Sequence, residues 1–210
     1  MKRTSVLIIF CILVSLLYWH TQALEDFVYS GSRLAQGALW TPVTALFVHF
    51  NLVHLIGNMV FLYVFGNVVE ENAGAKMTML AFFIGGVGSF IISSFYYGFN
   101  VQMIGASGAI FTLSAAAMLV KPLKLSWLFF FIPLGLVAIL YFIFNVFAIA
   151  LGLSGNVGYV AHVVGFLIGI PFGIVLSKGK WVKNFAITIL LLIAFLAIIY
   201  VIQILLVSFK

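Results

Sequence analysis

Residues Gly105–Leu113 read GASGAIFTL, and the way this chain folds turns on that stretch. It sets Ser107 between small residues at the head of an apolar segment. Two readings compete. In one, Ser107 is a small residue that lets two membrane helices pack closely, as Gly, Ala and Ser do in lipid. In the other, it is a nucleophile held inside the membrane. The segment it opens, about 105–120, is short for a span, and GFNVQMIG (Gly98–Gly105) leads into it. Its upper end is therefore expected to start below the membrane surface.

Composition establishes the membrane. Of 210 residues, 65% are hydrophobic and 7% charged, and the mean hydropathy is +1.31. A soluble domain carries about 25% charged residues. Each span needs about 20 apolar residues, so residues 1–210 allow seven spans in a single all-α transmembrane domain. They are expected at about 5–23, 43–68, 77–96, 105–120, 126–151, 158–177 and 184–208. All must be helices, because an unclosed strand edge leaves backbone groups unsatisfied in lipid. The opening MKRTSVLIIFCILVSLLYW also has the form of a secretory signal, with Thr21–Ala23 as a tolerable cleavage site. The stretch is nevertheless long enough to be retained as a span. Its Cys11 is the single cysteine, so no intrachain disulfide can form.

The net charge of +6 would suit nucleic acid. The basic residues instead sit in short clusters at span ends, as membrane topology requires. The expected environment is a lipid bilayer, with no nucleic-acid partner. A cytoplasmic N-terminus puts Lys2, Arg3, Lys76, Lys121, Lys124, Lys178, Lys180 and Lys183 inside and only Arg33 and Lys210 outside. A prokaryotic cell membrane, with the C-terminus on the outer side, is the expected location.

That topology brings four polar residues to the outer leaflet: His54 and Asn58 of span 2, Ser107 of span 4 and His162 of span 6. Polar side chains within spans usually face a bundle interior or a water-filled cavity. His54 and Asn58 are i,i+4 and share a helical face. His162 shares one with Gly165, Gly169 and Gly173, a face suited to close helix packing. Each has a plainer alternative: a packing serine, helix-linking hydrogen bonds, or a proton relay. His49, His54 and His162 can be imagined as zinc ligands. There is, however, no His-Glu-x-x-His pair and no carboxylate in a span core, so neither metal nor cofactor is expected.

If the four form a site, Ser107 needs a base. Every lysine but Lys210 lies at the cytoplasmic face or the N-terminus, which leaves histidine, and His162 is on a packed face. The acids are Glu25, Asp26, Glu70 and Glu71, none near the outer leaflet's core. A Ser–His dyad is therefore expected rather than a triad, with Phe111, one turn below Ser107, able to hold the imidazole. The Ser107 N–H opens a helix and points toward an anion, and Asn58 and His54 can donate beside it.

Three motifs, in this order, resemble the rhomboid family of intramembrane serine proteases. HFNLVHLIGNM (His49–Met59) is similar to its His-x4-His-x3-Asn pattern, which places His49, His54 and Asn58 on span 2. GASGAIF (Gly105–Phe111) is similar to Gly-x-Ser-Gly, with Ser107 between Gly105 and Gly108. AHVVGFLIG (Ala161–Gly169) is similar to Ala-His-x2-Gly-x3-Gly, containing His162 and Gly165. The resemblance implies a six-helix bundle over about 1–178 with a water-filled cavity open to the outside. The span at 184–208 would be an addition to it. It implies Ser107 as nucleophile, His162 as general base, and His54, Asn58 and the Ser107 N–H as oxyanion donors. The substrates would be transmembrane proteins, admitted past a lateral gate on span 5 at WLFFFIPLG (Trp127–Gly135). One position departs: Thr41 follows Trp40 where the family often has Arg, which bears on the first outer loop rather than the chemistry. A non-catalytic rhomboid-like binder of transmembrane clients is the alternative, and it would not need the Ser107/His162 pair. A transporter would be expected to carry an ionisable residue in a span core, and only histidines are found there.

Overall fold

A computed structural model of the chain describes residues 2–21, 25–153 and 157–208. Gln22 and Ala23 of the expected cleavage site, and Lys210, lie outside them. The described helices begin with α1 (Arg3–Thr21), the short α2 (Gly31–Ala35) and α3 (Thr41–Thr44), then α4 (Leu52–Phe61) and α5 (Asn67–Tyr97). They continue with α6 (Ser107–Val120), α7 (Leu134–Ala150), α8 (Tyr159–Leu176) and α9 (Trp181–Ser208).

The helix α6 is the axis of the bundle. It is buried from Gly108 through Leu119, as a helix apolar on every face must be. Its Gly, Ala, Ser and Thr residues let α4, α5, α7, α8 and α9 pack against it. A Cβ at Gly165 of α8 would strike the Gly108 backbone, and one at Gly169 would strike Thr112. On the other side, Gly85 and Gly86 of α5 face Thr112 and Ala109. The Thr112 hydroxyl donates to the Gly165 carbonyl at 2.7 Å, tying α6 to α8. The Asn184 amide of α9 donates to the Leu119 carbonyl at 2.6 Å. Large apolar side chains such as Leu13, Phe95, Phe147 and Leu196 point outward instead, the surface of a multi-pass membrane protein.

One end of the bundle is basic. Glu71 pairs with Lys2 at 2.7 Å and Lys124 at 3.5 Å. The Glu71 hydrogen bond pushes the Lys2 ammonium above its ordinary range. A recess of about 430 Å³ there is bordered by Lys121, Lys124, Lys178, Lys180 and Lys183. Both α6 and α8 run toward this end, so Ser107 and His162 share the opposite one.

Three boundaries differ from the sequence expectation. Span 2 does not begin at 43: residues 41–47 are short helical turns, Val48 is extended, and the long helix starts after Asn51. The Asn51 side chain caps it by accepting the His54 N–H at 2.8 Å. His49 therefore lies outside the helix that carries His54 and Asn58. Span 5 starts at Leu134, not 126, because Pro133 has no N–H to donate and Phe130 and Phe131 take left-handed backbones. The expected gate segment is thus a looped strap with one 3-10 turn at Trp127–Phe129, closed by a Leu125–Pro133 bridge, rather than the start of the α-helix. Spans 2 and 3 meet without a separate loop at Gly74, where φ is 80° and ψ 167°.

Candidate active site

The turn that presents Ser107 is pinned from three sides. The Met103 N–H donates to Tyr29 at 2.8 Å, Ser32 donates to Phe99 at 2.8 Å, and Gly105 donates to Ala45 at 2.9 Å. Ser107 is then the first residue of α6, where backbone N–H groups lack acceptors within the helix. It is partly exposed while Ala106 and Gly108 beside it are buried.

Gly105 has φ +109°, and a Cβ there would lie 2.8 Å from His54 Cε1 and 2.9 Å from Nε2. Only glycine lets the His54 ring reach this turn. Gly98 provides a comparison, because its φ is +97° with nothing within 4 Å. Gly98→Ala carries backbone strain alone, about 1–3 kcal/mol, whereas Gly105→Ala adds the collision with His54. The unfolding temperature in detergent is expected to fall further for Gly105→Ala, and equal falls would refute the close approach.

His54 accepts the Phe50 N–H at Nδ1, 3.4 Å away. In the neutral ring this leaves Nε2, the atom beside Gly105, as the N–H donor. Asn58 stands one turn further on. Its amide donates to the His54 carbonyl at 2.8 Å with one of two hydrogens. Its Oδ1 is buried with no hydrogen-bond partner among the described residues, a feature that calls for a functional account. His49 is fully buried behind them. Its Nε2 accepts a long 3.5 Å bond from the Ala106 N–H, so Nδ1 is the donor to Ser15 Oγ at 3.0 Å. The Ser15 hydroxyl passes on to the Phe47 carbonyl at 3.1 Å. His49 thus braces the residue before Ser107 against α1.

His162 enters from the first turn of α8, whose start is held by the Val160 N–H donating to the Tyr97 hydroxyl at 2.9 Å. Its ring stacks on Phe111 with centroids 4.5 Å apart and planes 12° off parallel. Phe111 lies one turn below Ser107, and Gly165 seats the next turn of α8 on Gly108. The starts of α6 and α8 are therefore side by side. The Nδ1 edge of the ring is met by a residue that sequence reasoning missed. Asn145 of α7 is buried, with Oδ1 2.7 Å from His162 Nδ1. Its signal was visible as the lone amide in the apolar run LGLVAILYFIFNVFAIA. Among the described residues, no three His, Cys, Asp or Glu side chains are grouped to hold a metal. A partly exposed serine at a helix start, a braced imidazole and convergent N–H donors suit nucleophilic acyl transfer.

Residues 36–179 match the Rhomboid domain family. The chain is 37% identical over 148 residues to "Rhomboid-like protein 11, chloroplastic" of Arabidopsis thaliana, covering 65% of this chain and 52% of that one. It is 31% identical over 138 residues to "RHOMBOID-like protein 6, mitochondrial" of the same plant, covering 65% and 43%. It is 21% identical over 185 residues to "Rhomboid protease GlpG" of Haemophilus influenzae, covering 84% and 92%. The chain spans about half the length of the plant relatives it matches.

Proposed function

The chain belongs to the rhomboid family, and from that premise and the geometry above we propose that it is a serine endopeptidase cutting transmembrane proteins in or near their membrane segments. The observation that carries the reading is the stack of His162 on Phe111, one turn below Ser107. Ser107 Oγ adds to the carbonyl carbon while its proton passes to His162 Nε2. The C–N bond then breaks, and the same proton goes to the leaving amine. Water repeats the cycle on the acyl ester, giving the acid and restoring Ser107. During both additions the carbonyl oxygen carries negative charge. His54 Nε2–H, the second Asn58 amide hydrogen and the Ser107 N–H are the donors for it.

The charge pattern supports an orientation with the basic end toward the cytoplasm and the site opening near the outer side. An apolar recess of about 300 Å³ beside Phe129, Phe130, Ile132, Val137, Leu140 and Tyr141 opens next to the ring stack. With the Trp127–Pro133 strap, it is the candidate approach for a substrate helix from the lipid.

A fluorophosphonate tests this directly. Purified protein in detergent is expected to form one adduct, located on Ser107 by mass spectrometry, with loss of cleavage in step with labelling. An adduct on another residue with cleavage intact would defeat the assignment. A non-catalytic client binder would take no adduct and cut nothing.

A further inference from the structure

We propose that Asn145 is a positioning residue for His162, fixing which ring nitrogen carries the proton and so aiming a free Nε2 lone pair at Ser107. The role rests on the proteolytic reading above. Its geometry is closed by donor and acceptor logic alone. The Asn145 amide nitrogen lies 2.7 Å from the Tyr141 carbonyl, one helical turn back. A carbonyl only accepts, so the –NH2 must face it and the amide oxygen must face the histidine. That oxygen, 2.7 Å from His162 Nδ1, also only accepts. Nδ1 therefore carries the hydrogen. A neutral imidazole has just one, so Nε2 is left as the base.

The helix α7 restrains the ring in a second way. Tyr141, whose carbonyl orients Asn145, stacks its own ring on Phe111 at 4.9 Å and 9°. Phe111 stacks on His162 in turn. Rotation in the ring plane is thus stopped by the Asn145 oxygen, and tilt out of it by the two aromatic rings. Both restraints come through one turn of α7, Tyr141 to Asn145. An amide suits the place. Asn145 is 1% exposed and His162 8% exposed, and a carboxylate there would be buried without a cationic partner in the resting enzyme. Asp26 is engaged with Arg33, and Glu70 and Glu71 with the α1 start and lysines. The chain meets the need for an acceptor without a charge.

The test uses full-length protein in detergent. Asn145→Leu removes the acceptor at similar volume. It is expected to lower kcat on the order of 100-fold with KM unchanged, because the interaction acts on the base and not on substrate binding. Asn145→Asp keeps an oxygen toward Nδ1, and a protonated Asp can still donate to the Tyr141 carbonyl. It is expected to retain at least about a tenth of the parent kcat. The readout that a merely structural role would not move is the tautomer. With ¹⁵N-histidine, the chain has four histidines to assign, and His162→Ala identifies the signal. The parent is expected to show Nδ1–H, and Asn145→Leu a shift toward Nε2–H.

Parent protein without an Nδ1–H on His162 overturns the proposal, as does an Asn145→Leu whose kcat stays within threefold of the parent. If Asn145→Leu fails to fold, the parent tautomer and the Asn145→Asp kcat decide. An Nδ1–H with that kcat retained supports the role, and a missing Nδ1–H or a lost kcat overturns it. A parent that neither cleaves nor labels at Ser107 defeats the proteolytic reading and takes this role with it. An active parent indifferent to Asn145→Leu defeats the positioning role alone.

Discussion

Ser107→Ala and His162→Ala are each expected to reduce cleavage of a reporter transmembrane substrate by a factor on the order of 10⁴ or more, to assay background. The two side chains act as a unit, so the double variant is expected to be no slower than either single one. Stability should separate them. Ser107 is partly exposed at the start of α6, and removing its hydroxyl leaves no buried group unpaired. Its unfolding temperature should match the parent. His162→Ala leaves Asn145 Oδ1 buried without its partner, a loss of about 1–3 kcal/mol, and strips a ring from the Phe111 stack. Cleavage by purified Ser107→Ala at the parent rate would sink the mechanism. A double variant far slower than both singles would mean that the two residues serve separate steps.

Hydropathy made most of the fold legible, because a helix in lipid needs a long apolar run and little else. It misplaced helix starts for the same reason. Residues 43–51 and 126–133 are apolar enough for a span, yet neither joins the long helix that follows it. In the first, Asn51 caps the helix that begins at Leu52. In the second, Pro133 and two left-handed phenylalanines hold a strap. Both signals, Asn51 and Pro133, are punctuation that local chemistry reads and average hydropathy does not.

The candidate site was legible through Ser107, its histidines and Asn58, which fall in recognisable motifs, and less so through an amide that lies outside them. Searching for an acid to orient His162 leads to Asp and Glu, and all four lie elsewhere in the chain. The acceptor present is an amide, Asn145, whose role depends on the packing of α7 against α8. Nor does spacing reveal that His49 braces the Ala106 turn from outside the helix. That contact joins a backbone N–H to an imidazole 57 residues away, which no local pattern encodes.

The Gly165→Ala variant should couple loss of fold to loss of activity more tightly than any other glycine in α8. A Cβ at Gly165 would meet the Gly108 carbonyl oxygen and lie 2.9 Å from its carbon. These are backbone atoms, so no side-chain rotation relieves the contact, and α6 and α8 must part. Overpacking of this kind costs about 1–3 kcal/mol. Gly108 directly follows Ser107, and His162 lies one turn before Gly165. Parting the helices here therefore opens the pair itself, and a displacement of about 1 Å at reacting groups can cost about 100-fold in rate. Gly169→Ala makes a similar collision with the Thr112 carbonyl oxygen, two turns below the site. It should lower the unfolding temperature comparably while sparing more of the rate. Gly57→Ala is the control on α4, since nothing lies within 4 Å of a Cβ there. It should leave stability unchanged or raise it by about 0.5–1 kcal/mol, the usual gain of Ala over Gly inside a helix. The measurements are thermal unfolding and kcat for the three variants in one detergent. If Gly165→Ala unfolds with the parent and cuts at the parent rate, α6 and α8 are not in backbone contact at the catalytic end. If Gly169→Ala loses as much rate as Gly165→Ala, the loss tracks stability rather than the spacing of Ser107 and His162.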